Sequence, residues 1–120
     1  MNRDILLKSG YREFKPTLIC KSANNAYQKR VRDNVGTKYF INIYEYDSRE
    51  YGFNGYTYEI SLQSNKTYND KEFTVNTEIF GFSEFDNKTE TYENKFSIEE
   101  IESIIEKHWN VNEFNYYEKD

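Results

Sequence analysis

Cys20 and His108 are the chain's single cysteine and single histidine, and so its first candidates for covalent or acid–base chemistry. Neither comes with the partners such chemistry needs. No G-x-S-x-G nucleophile elbow is present, and one thiol with one imidazole is too few for the common zinc sites. Cys20 ends a short extended stretch, Thr17 to Cys20, where a buried, inert thiol is the expected state. His108 falls in the last turn of a helix beside Trp109, where an imidazolium suits the helix dipole whether or not it catalyses.

The carboxylates come next. Asp47/Glu50, Asp70/Glu72 and Glu84/Asp86 are close in sequence, and magnesium sites are built from one or two such groups. Glu13/Lys15, Asp86/Lys88 and Glu93/Lys95 have the acid-two-before-lysine spacing of some nucleases. With 21 acids and 11 lysines among 120 residues, chance supplies nearly as many pairs. No Gly-rich phosphate loop, EF-hand or metalloprotease motif accompanies them. The reading is therefore a non-enzyme with no metal, no cofactor and no small-molecule substrate. A small carboxylate-dependent nuclease is the enzyme alternative.

Binding is better represented. Residues 1–40 carry nine Lys/Arg against three Asp/Glu, whereas residues 41–120 carry seven against eighteen. Such asymmetry can mark a partner surface, the alternative being an ordinary solvated face. Glu84, Asp86, Glu90 and Glu93 concentrate negative charge before the last helix, suited to docking on a basic surface such as a nucleic-acid groove. Reversing those four charges is expected to leave folding intact. Twelve tyrosines add a second kind of contact residue, with Tyr44, Tyr46 and Tyr51 the leading candidates. Phe, Tyr, Met, Ile, Asn and Lys, all with AT-rich codons, make up nearly half the chain, so coding bias accounts for part of that richness. The basic run offers an alternative: Lys29, Arg30 and Arg32, interleaved with Tyr27, as phosphate contacts. A pI near 5.0 argues against nucleic acid as the main partner.

These residues must be positioned by a single small domain. The length, 120 residues, suits one core. A mean hydropathy of -1.00 leans toward disorder, but an aromatic fraction of 18% argues for a packed chain. Asn2 can cap a short opening helix that closes at Gly10. Residues 27–32, 38–46, 56–63 and 72–82 read as four strands. The alternation places Tyr39, Ile41 and Ile43 in the core, with Phe40, Asn42, Tyr44 and Tyr46 opposite. It likewise points Tyr56, Tyr58, Ile60 and Leu62 inward, and Phe73, Val75 and Ile79 after them. Residues 65–70 read as a turn region.

The final helix has the firmest signature. Ser97 and Glu100 form a capping box, Phe96 and Ile101 occupy the staple positions, and Ile98, Ile101, Ile104, Ile105 and Trp109 recur at helical spacing. The predicted fold is α+β: an antiparallel sheet of about four strands, with a short N-terminal helix and an amphipathic C-terminal helix packed on one face. No apolar run reaches the roughly 20 residues of a membrane span, and residues 1–4 do not resemble a signal peptide, so a cytoplasmic location is expected.

Lys38-Tyr39-Phe40-Ile41-Asn42-Ile43-Tyr44, Tyr58-Glu59-Ile60 and Phe96-Ser97-Ile98-Glu99-Glu100-Ile101-Glu102 resemble segments of small proteins of phages and prophages in AT-rich bacteria. The resemblance implies a mobile-element accessory protein that binds and inhibits a host protein, with CRISPR nucleases among such targets. It carries no catalytic residue over.

Overall fold

A computed structural model describes residues 1–15, 23–34, 37–47, 49, 52, 55–85 and 96–108. In chain order the elements are α1 (Arg3–Lys8), β1 (Arg12–Glu13), β2 (Asn25–Asn34), β3 (Thr37–Asp47), β4 (Gly55–Tyr68), β5 (Lys71–Phe85) and α2 (Ile98–His108). The strands form one antiparallel meander in the order β1-β2-β3-β4-β5. The α+β class holds, with five strands rather than four. The added strand, Arg12–Glu13, pairs with Gln28 and Tyr27, and two residues are too few to show a period of their own.

Both helices begin as their residue types dictate. The Asn2 side chain accepts from the Asp4 amide at 2.8 Å and caps α1, which ends before Gly10 at φ 95°. Ahead of α2 the Glu100 amide donates to Ser97 Oγ at 3.1 Å, and the Ser97 amide donates back to Glu100 Oε1 at 3.4 Å.

Strand alternation gives the sheet two faces. On the inner one Tyr27, Tyr39, Ile41, Ile43, Tyr58, Ile60, Leu62 and Phe82 pack with Leu6 of α1 and with Ile98, Ile101 and Ile105 of α2. Two of the buried tyrosines of this core, Tyr58 and Tyr11, set their polar ends on carboxylates. Tyr58 OH donates to Glu45 at 2.8 Å, and Tyr11 OH to Glu102 at 3.2 Å. Burial first, then those carboxylates, hold both phenols well above their ordinary range.

β4 and β5 depart from expectation in two ways. β4 continues through Tyr68, and the turn is only Asn69-Asp70, both with positive φ (51° and 63°). That is the two-residue hairpin turn of mirror-image type, which matches strand twist and which Asn and Asp tolerate. In β5 a bulge opposite Ile60/Ser61 inserts one residue and reverses the alternation. Phe80 and Phe82 therefore reach the core with Ile79 half-buried, while Phe73 and Val75 are each 52% exposed. The expectation that Phe73 and Val75 are core residues is corrected: they lie on the inner side of the sheet, but toward the β4–β5 turn. The molecule is correspondingly long, 53 × 26 × 24 Å.

Candidate functional site

The outer face of the sheet carries the polar halves of the same strands. Cross-strand register brings Gln28, Asn42 and Ser61 into one row, and Phe40, Gln63 and Asn76 into contact with it. Asn42 is fully buried although it lies on the side away from both helices. A buried amide is tolerated only when its donors and acceptors are met. Gln28 Nε2 donates to Asn42 Oδ1 at 3.0 Å. Asn42 Nδ2 donates to Gln63 Oε1 at 2.7 Å and to Tyr44 OH at 3.1 Å. Asn76 Nδ2 reaches the same Tyr44 hydroxyl at 2.9 Å, and Gln63 Nε2 continues to Asn65 at 2.9 Å. A longer bond from Arg12 to Gln28, 3.5 Å, extends the chain to β1. One hydrogen-bonded network thus crosses all five strands.

Around it stand larger groups. Phe14 lies against Tyr44 with ring centroids 6.0 Å apart. Tyr46 OH donates to Glu59 at 3.0 Å. Arg12, Arg30 and Lys38 are exposed on the β1–β3 side, and Glu72 and Glu78 are exposed on the β5 side, with Glu59 half-buried between. The face therefore carries both signs of charge, segregated.

The sequence candidates fall in different places. Tyr46 is half-buried on this face, and Tyr44 belongs to its network but is only 2% exposed, so it supports the surface rather than offering itself as an exposed contact. Tyr51, Asp86, Glu90 and Glu93 lie outside the described residues. Glu84 lies on the inner side, where it accepts from the Met1 ammonium at 2.7 Å with only 15% of its side chain exposed. Expecting it to be a solvated charge that can be reversed freely is therefore corrected. Lys29 points inward, 2.8 Å from Glu102 and over the Tyr11 ring, and ties α2 to β2. Arg30 points outward, and Arg32 falls in the irregular part of β2 between Arg30 and Asp33. The basic run is split between two faces, as strand geometry requires.

The remaining chemical candidates stay apart. Asp47 accepts two bonds from the side chain of Arg49, which hold its carboxyl below the usual range. Among the described residues no three His, Cys, Asp or Glu side chains gather to hold a metal ion, and no helix is long and apolar enough to cross a membrane. His108 is half-buried at the end of α2; Cys20 and Trp109 lie outside the described residues. No protein-family model, curated protein or solved structure matches the chain.

Gln28, Asn42, Gln63 and Asn76 were not singled out by sequence. Each occupies an outward position in its strand, which a strand pattern assigns to solvent. Only the pairing register shows that they meet.

Proposed function

We propose that this is a non-enzymatic binding protein that engages a host protein through the outer face of its sheet and inhibits it by occupying it. The amide–tyrosine network across five strands carries this reading. Shared hydrogen bonds hold the members of such a network in one arrangement. A surface ordered in advance loses little entropy when a partner arrives, and Tyr, Asn and Arg are the residue types that protein interfaces use. The mixed charge favours a protein over nucleic acid. A phosphate backbone meeting Arg12, Arg30 and Lys38 would also meet Glu59, Glu72 and Glu78, whereas a protein surface can match both signs. The resemblance to phage and prophage proteins makes a host protein, including a defence nuclease such as a CRISPR effector, the expected partner.

The test is affinity capture from a low-GC bacterial lysate, with mass spectrometry, beside a low-salt mobility shift with DNA and RNA. The baits are the wild type, Phe40→Lys on the outer face and Ile5→Lys on the helix side. A protein held by wild type and Ile5→Lys but lost with Phe40→Lys is the expected result. Equal retention by all three, or a nucleic-acid shift abolished by Arg30→Glu, contradicts the proposal.

A further inference from the structure

β5 closes the sheet on one side, and among the described residues it pairs only with β4. Its backbone polarity along residues 71–77 follows from the hairpin. Tyr68 and Lys71 flank the two-residue turn, whose own bond runs between them. Alternation then turns the amides and carbonyls of Lys71, Phe73, Val75 and Thr77 toward β4, and those of Glu72, Thr74 and Asn76 away from it. An edge of this kind is a template for another strand, and proteins normally blunt it with proline, bulges or inward charges. Here the one proline of the chain is Pro16, the bulge lies beyond Glu78, and Phe73 and Val75 present apolar side chains on the inner side.

We infer that the β5 edge joins two copies of this chain, antiparallel about a two-fold axis at Thr74, into a continuous ten-stranded sheet. Thr74 faces Thr74 of the second copy, and Glu72 faces Asn76, so the three outward-turned residues of each copy exchange backbone bonds. Phe73 faces Val75 twice, an aromatic–β-branched cross-strand pair that sheets favour. Lys71 faces Thr77. Within 71–77 no like charges oppose each other, although the same register brings Asp70 of the turn opposite Glu78; an axis at Val75 sets Glu72 against Glu78 inside the paired strands. What favours the Thr74 axis is the side-chain pairing, since an axis at Val75 sets Phe73 against Thr77 instead of Val75. The axis runs perpendicular to the sheet, which keeps both helix layers on one side and sets the two amide–tyrosine faces side by side on the other. This pairing rests on the β5 edge and stands independently of what the outer face binds.

Sedimentation velocity of the full chain over a concentration series tests it. The expected species is a dimer, twice the 14.5 kDa of one chain. Thr74→Pro removes an amide that β4 does not use, as edge prolines do. It should yield a folded monomer whose thermal midpoint, unlike the wild type's, does not depend on protein concentration. Phe73→Lys with Val75→Lys, both at exposed positions, puts like charges opposite each other and should also yield a monomer; it decides the matter if Thr74→Pro fails to fold. A wild type that stays monomeric up to its solubility limit overturns the inference. So does a dimer that persists in either folded variant.

Discussion

The two faces of this sheet are built from the same strands by opposite means. The inner face is closed by burial: Ile43, Ile60, Ile101 and Ile105 are almost wholly removed from water between sheet and helices. The outer face has no described helix against it, yet Asn42 and Tyr44 are as inaccessible as the core residues. There, amides and the Tyr44 hydroxyl hydrogen-bond one another. Hydrophobic burial is non-directional and tolerates small shifts, whereas a hydrogen-bonded network demands particular distances and angles. The inner face therefore supplies stability, and the outer face supplies a defined shape.

Substitutions separate the two. Ile60→Ala and Ile101→Ala, on opposite sides of the inner layer, should each cost roughly 2–5 kcal/mol in denaturant unfolding, the range for large-to-small core changes. If either leaves the midpoint unmoved, α2 does not pack on the sheet. Asn42→Ala should cost about 1–3 kcal/mol, because it removes both amide bonds to Gln28 and Gln63 and leaves those two only their longer 3.4 Å bond to each other. A neutral Asn42→Ala would mean that water replaces the network freely. Ser97→Ala should cost about 1 kcal/mol through the lost cap.

The smallest effect at working pH appears only on the alkaline side. Tyr11 and Tyr58 hold their protons well above the ordinary value of 10.0 in the folded chain, chiefly through burial. The unfolded chain releases those protons near that value. Their contribution is therefore intact below about pH 10 and is lost as pH rises further, since deprotonation favours the unfolded state. Melting curves at rising pH should show this decline, and Tyr58→Phe should make it shallower. A midpoint that does not fall through that range would place these phenols in water.

Some of this was legible in the sequence and some was not, for physical reasons. The capping box at Ser97, the isoleucine stripe of α2 and the Tyr39-Ile41-Ile43 face are local patterns, and local patterns survive in one dimension. The bulge in β5 is not local. It moved Phe80 and Phe82 into the core and left Phe73 and Val75 at an exposed hairpin end; Gly81 is the residue type that marks a bulge, but only the pairing shows that Ile79 is the inserted residue. The sequence pattern ends β4 at Gln63 because Asn65, Lys66 and Asn69 look like turn residues, although only Asn69 and Asp70 turn. The outer network was the least visible part. Gln28, Asn42 and Gln63 lie on three different strands, and each looks like an ordinary solvent-facing residue until the register sets them together.

Everything proposed for the outer face requires it to be one unit rather than a row of independent polar side chains. A double-mutant cycle at Asn42 and Gln63, whose side chains meet at 2.7 Å, measures this directly. Asn42→Ala, Gln63→Ala and the double variant are unfolded in denaturant alongside the wild type. A single unit predicts that the double change costs less than the sum of the two, by a coupling of about 0.5–3 kcal/mol. Costs that add, to within about 0.3–0.5 kcal/mol as they do for independent sites, would contradict it.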